Sequence, residues 1–213
     1  RARRITFEIN GAYQSVVDQG VEVALVVGAG NIWRGVMGRS GGMDRVNADY
    51  MGMLATVMNA LCLRDFFRAA GIQAVVQCSI GMEPIAPRFN RDEAIRALEA
   101  GKIVIFAGGT GSPFFTTDTT SALRALETDC DAVLKATKVD GVYTADPFKD
   151  PAATRYAELS FDEALARQLK VMDSTAFSMC RDNDLPIIVF NFSDPDSLER
   201  ILSGDTEAGT IVS

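Results

Sequence analysis

The sequence predicts an α/β protein: a three-layer αβα sandwich with a mostly parallel central sheet, formed as a single domain over residues 1–213. Three observations lead there. Strand-like and helix-like segments alternate along the chain. The strand-like runs are continuously apolar, as expected of strands covered on both faces. The 213 residues, 47% hydrophobic and 23% charged, suffice for one sizeable core.

The elements follow in chain order. "EVALVV" (22–27) reads as a buried strand that ends in glycine. Residues 47–71 carry apolar side chains at helical spacing and stop at Gly71, so they read as a long helix with a glycine cap. Its apolar residues are assigned to the core by default. "IQAVVQC" is a strand. "NRDEAIRALEAG" is a helix capped by Asn90, with Glu93 three residues on and Gly101 at its end. "KIVIFAGGTG" repeats the opening pattern of strand, then glycines. "TDTTSALRALETD" is a helix, "AVLKAT" a strand and "KVDGVYTADP" a turn-rich loop. "SFDEALARQ" opens with a capping box, Ser160 and Glu163. A helix (173–184), the strand "LPIIVFNF", a last helix and the strand "GTIVS" complete the chain.

Composition excludes several chemistries. There is no histidine, which removes histidine bases, triads and metal ligands. The four cysteines form no CxxC pair, so they read as buried reduced thiols of a cytoplasmic protein. A net charge of −7 argues against non-specific nucleic-acid binding. No apolar run is long enough for a membrane span, and the first residues, "RARRITFEINGAY", lack the apolar segment of an export signal. The remaining repertoire of Lys, Arg, Asp, Thr, backbone amides and a hard metal suits phosphoryl transfer.

In parallel sheets, ligands bind beyond the carboxyl ends of the strands. Two of those ends are glycine-rich. "GAGN" (28–31) would let amides approach an anion closely, and Arg34 would add a fork of donors. The alternative is a tight turn with an exposed arginine. "AGGTGSPFFTTDTT" (107–120) adds hydroxyls at the mouth of a helix. Phe114 and Phe115 either flank a base or fill core, and Asp118 is either a functional carboxylate or a helix N-cap. Two such ends suggest two anion sites, as a phosphate donor and an acceptor require. Lys135, at the end of an apolar strand, could neutralise developing charge on a transferred group. Tyr143 and Asp146 beyond it suit a base and a ribose, or simply a surface turn.

The segments "GAGNIWRG", "DYMGMLATVMNAL", "GTGSPFFTTDT", "LKATKVDGVYTADP" and "VMDSTAFSMCRDNDLPIIVFN" together resemble the bacterial uridylate kinase (UMP kinase) family, of the amino-acid-kinase fold. The resemblance implies phosphoryl transfer from ATP to UMP with Mg²⁺; with no carboxylate cluster in the sequence, the metal is expected to ride on the phosphates rather than on a protein site. It also implies a homohexamer activated by GTP and inhibited by UTP. By motif, Ala29 falls beside UMP, where the family has glycine, and Gly30 beside the ATP phosphates. Arg34 is expected at the transferring phosphate and Asp49 at the uridine ribose. Thr110, Gly111, Ser112 and Pro113 are expected around UMP, together with Phe114, Phe115, Thr116 and Thr117. Thr137, Tyr143 and Asp146 match the ATP adenosine side. Lys135 and Asp118 match the charge-stabilising and lysine-organising positions.

One departure stands out. The family's first strand ends in a lysine and glycine that touch the ATP phosphates, and "RARRITFEING" has no counterpart. The resemblance therefore implies a segment omitted near Ile5–Thr6. The alternative is a shortened protein of weak activity, or a nucleotide-binding regulator or storage protein without turnover.

Overall fold

The continuous apolar runs become the inner strands of one sheet. The computed structural model describes residues 4–8, 20–34, 42–194 and 196–213. Among them the strands are β1 (Arg4–Glu8), β2 (Glu22–Val26), β3 (Ala74–Cys78), β4 (Ile103–Ala107), β5 (Ala132–Thr137), β6 (Glu158–Leu159), β7 (Ile187–Asn191) and β8 (Gly209–Val212). They order as β3-β4-β2-β1-β5-β7-β8-β6. Every pairing is parallel except that of β7 with β8. The carboxyl ends of β2, β4 and β5 therefore open on the same edge.

β1 has no counterpart among the predicted strands, because "RITFE" offers only Ile5 and Phe7 as a pattern. It lies mid-sheet, with Ile5 opposite Val23 and Thr6 opposite Ala24. The Ile5–Thr6 junction thus falls inside a regular ladder.

Alternation along the strands divides the core. Val23, Leu25, Ile105 and Leu134 face one side, packed with Val57, Ala60 and Phe67 of α1 (Arg45–Ala69). Ala24, Val26, Val104 and Phe106 face the other side, against Ala94 and Leu98 of α2 (Arg91–Glu99). Val133, Ile187 and Val189 pack there with α3 (Thr117–Glu127), α4 (Phe161–Ala166) and α5 (Ser174–Asp182). The last helix, α6 (Ser197–Leu202), adds Leu198 and Leu202 to the first side. This is the predicted three-layer sandwich.

Local signals set the helix ends. Asn90 and Ser160 accept from the amides of Glu93 and Glu163, as their spacing predicts. α1 starts two residues earlier than its apolar spacing suggests, because Asp44 caps it through the Asn47 amide. It ends where Gly71 takes a left-handed φ of 81° and the amide of Ile72 returns to the Phe67 carbonyl. Its core assignment holds for one side only. Met51, Leu54, Met58 and Phe66 are exposed, and so is Cys62, which corrects the expectation that all the thiols are buried.

Leu25 is fully buried in the first core. Leu25→Ala is expected to cost about 2–5 kcal/mol, read from urea unfolding. A loss under about 1 kcal/mol would show that this layer is not tightly packed.

Candidate active site

β2 and β4 are neighbours, with Val26 opposite Phe106. Their glycine-rich exits therefore lie side by side, and between them, α1 and the start of α3 opens a cleft of about 280 Å³. The first turn contributes Ala29, Gly30 and Trp33. α1 contributes Asp49, Gly52, Met53 and Thr56. The second turn and α3 contribute Gly109, Thr110, Ser112, Phe115, Thr116, Thr117 and Thr120.

The first turn is braced from α1. Asn59 donates to the Gly28 carbonyl at 2.7 Å and exchanges hydrogen bonds with Asn31. The amides of Ile32 and Trp33 both bond to the Ala29 carbonyl. Ala29 stays outside the left-handed region, so alanine costs nothing there. The amides of Ala29 and Gly30 make no hydrogen bond among the described residues. Trp33, the single tryptophan, is fixed by a 2.8 Å bond from its indole nitrogen to the Ala48 carbonyl.

The second turn needs its glycine. Gly108 has a φ of 77°, and a Cβ there would lie 2.7 Å from the Cys78 sulfur. Its amide donates to Thr56 Oγ1 at 2.8 Å. Phe114 holds a left-handed φ of 74° while its amide donates to Asp49 Oδ2 at 2.8 Å. Arg45 donates to the same carboxylate at 2.9 Å and stacks on the Phe114 ring at 5.1 Å. Phe114 and Phe115 are both exposed, so neither fills core, and only Phe115 lines the cleft.

The start of α3 rules out the N-cap reading of Asp118. Thr116 is the N-cap, accepting from the Thr119 amide. Asp118 is therefore released from capping, and its carboxylate accepts from Lys135 Nζ at 2.7 Å and from the Asp173 amide at 3.2 Å. The amides of Thr117 and Asp118 have no partner among the described residues. A helix N-terminus with free amides suits an anion.

Asp173 caps α5 through the amides of Thr175 and Ala176 and accepts from the hydroxyls of Thr116 and Thr119. Burial pushes its carboxyl up. The hydroxyl of Thr116, the amide of Ala176, the hydroxyl of Thr119 and the amide of Thr175 outweigh burial and hold it below the ordinary range.

The remaining expected residues lie outside the cleft lining. Arg34 is exposed and folds back, donating from Nε to the Gly30 carbonyl at 2.9 Å. Thr137 closes a turn with Val139 just past β5. Tyr143 donates to Asp140 at 2.6 Å, and that bond, with burial, raises its pKa. Asp146 accepts from the Phe148 amide. Gly111 and Pro113 belong to the second turn without lining the cleft.

Sequence reasoning missed Trp33, Gly52, Met53, Thr56, Thr120 and Asp173. Helical periodicity reads Met53 and Thr56 as core, and Asp173 carries no local mark beyond a cap position. Among the described residues no group of three acidic or thiol side chains is placed to hold a metal. Asp118 and Asp173 are already committed to donors.

A parallel αβα sheet with two amide-lined turns and a lysine–aspartate pair at one carboxyl edge defines a phosphate-transferring class. The chain belongs to the amino acid kinase family, whose family model matches residues 12–191. It is similar over its full length to solved UMP kinases. That of Bacillus anthracis is 37% identical, with a TM-score of 0.94, covering 100% of this chain and 97% of the other. That of Ureaplasma parvum is 32% identical, with a TM-score of 0.91, covering 100% and 99%. The uridylate kinase of Archaeoglobus fulgidus is 26% identical, with a TM-score of 0.75, covering 98% and 99%.

The pKa direction at Asp173 has a consequence for acid stability. A lowered folded pKa stabilises the native state fully above the unfolded value, about 3.9, and the contribution is lost as pH falls through the folded value. Asp173→Asn is expected to flatten the acid limb of the stability–pH curve, measured by thermal melts. An unchanged limb would mean that this carboxylate does not drive acid unfolding.

Proposed function

We propose that the protein is a UMP kinase, transferring the γ-phosphoryl group of ATP, supplied as its magnesium complex, to UMP to give ADP and UDP. One observation carries the reading. Two glycine-rich turns and a helix N-terminus converge on a single cleft, with free amides from each.

An oxygen of the UMP phosphate, anionic at neutral pH, attacks the γ-phosphorus in line. The bond to the β-γ bridging oxygen breaks, and ADP leaves with that oxygen. No covalent enzyme intermediate is needed, so the protein's work is to position two polyanions and screen their repulsion. The amides of Ala29, Gly30, Thr117 and Asp118 receive phosphate oxygens. Lys135, oriented by Asp118, meets the charge developing on the transferred group. Arg34 lies one turn from Gly30 and swings from its carbonyl to the phosphates. Asp49 takes the ribose hydroxyls in exchange for Arg45. Thr137, Tyr143 and Asp146 hold the adenosine side. The fold is read as one amino-acid-kinase domain over residues 1–213, with the lysine-bearing end of the family's first strand expected in a segment omitted near Ile5–Thr6.

The test is ADP release with UMP, CMP, glutamate, aspartate and carbamate as acceptors. UMP is expected to be preferred, and no turnover with UMP would refute the reading in favour of a non-catalytic nucleotide binder. Lys135→Ala and Arg34→Ala are each expected to lower kcat by about 10²–10³-fold, equivalent to about 2.7–4 kcal/mol of barrier. Near wild-type rates in both would remove these roles. GTP activation and UTP inhibition belong to the same proposal and are read in the same assay.

A homohexamer is also proposed. Met51, Leu54, Met58 and Phe66 recur along α1 as an exposed apolar stripe, the kind of surface that a second copy covers. Leu54→Glu combined with Met58→Glu is expected to reduce the mass seen by light scattering. A wild-type monomer, or a variant of unchanged mass, would contradict it. No described helix is long and apolar enough to cross a membrane, and the proposed substrates suit the cytoplasm.

A further inference from the structure

Behind the turn that follows β4 lies a buried arginine that takes no part in the cleft lining. Arg124, on α3, is 4% exposed. Its guanidinium lies 3.9 Å from the Phe89 ring centroid and 5.9 Å from that of Phe106. Nη1 is paired with Glu127. Stacking and pairing account for its burial. They do not account for Nη2, which donates to Ser79 Oγ at 2.7 Å.

That bond fixes a direction. A guanidinium can only donate, so Ser79 Oγ accepts from it, and the serine's own proton goes to the Gly109 carbonyl, 2.5 Å away. The peptide between Gly109 and Thr110 is planar and trans, so its carbonyl and its N–H point opposite ways. Holding the Gly109 carbonyl on Ser79 turns the Thr110 amide away from Ser79. Thr110 and Gly109 both line the cleft. The preceding peptide is held by the Gly111 amide, which donates to the Gly108 carbonyl, and the one before it by Thr56, which accepts from the Gly108 amide. The Thr110 amide has no partner among the described residues.

We infer that Arg124 and Ser79 are positioning residues that aim the Thr110 amide at an oxygen of the acceptor nucleotide, an inference that rests on the UMP kinase reading. Neither touches substrate. Their effect is selective because the donor nucleotide is held elsewhere, beyond β5.

Steady-state kinetics of Ser79→Ala and Arg124→Lys test it, once wild-type turnover of UMP is established. Each is expected to raise KM for UMP about tenfold, the effect of one lost hydrogen bond. KM for ATP should stay within about twofold of wild type, a split that loss of general stability does not produce. Because the two side chains act in series, the double variant should be no worse than the worse single one. A KM for UMP unchanged in Ser79→Ala, equal rises for both nucleotides, or effects that multiply would each overturn the proposal. Should the wild type fail to turn over UMP, the UMP kinase reading fails by itself. Amide exchange then decides the positioning claim: residues 109–112 should exchange faster in Ser79→Ala, and unchanged exchange overturns it.

Discussion

Because β2 and β4 run parallel as immediate neighbours, the chain must leave the sheet twice at nearly the same place. Strands in a sheet lie about 4.8 Å apart. Small residues at both exits let the two turns run close together at that spacing. Gly28 and Gly108 open the two turns, and at Gly108 a Cβ would strike the sulfur of Cys78, which ends β3 on the far side of β4. The same constraint creates the site. Chain that cannot carry bulk leaves its amides bare, and two bare stretches side by side form a surface for anions.

The charges around that surface are arranged by neighbours rather than by burial alone. Thr116 caps α3, which frees the Asp118 carboxylate to hold Lys135. Asp173 collects two hydroxyls and two amides, and its own amide reaches Asp118. α3, α5 and β5 are thus joined through one carboxylate pair, and the lysine ammonium is held at the edge where phosphates would meet. Asp49 shows the same economy. Arg45 and the Phe114 amide satisfy its carboxylate.

Much of this was legible in the residues. Continuous apolar runs, glycine strand ends and the caps at Asn90 and Ser160 are local signals, and each appears where its chemistry requires. β1 was not legible, because its place is set by the strands that flank it rather than by its own pattern. Composition left Phe114 and Phe115 open between core and base contact, and the turn's geometry turns them outward. Thr56, Asp173 and Arg124 escaped for one shared reason. Their partners lie 52, 54–57 and 45 residues away in sequence, and only the closed sheet brings them together. The family motifs name many of the residues that line the cleft, but not the side chains that brace it.

The central claim is that both turns and the α3 N-terminus serve one transfer site. A structure of the protein with UMP and a non-hydrolysable ATP analogue tests it most directly. The account predicts the UMP phosphate within hydrogen-bond reach of the amide of Ala29 and of that of Thr117 or Asp118, with the γ-phosphate of the analogue facing Lys135. UMP bound outside the cleft, or two nucleotides whose phosphates do not meet, would contradict it.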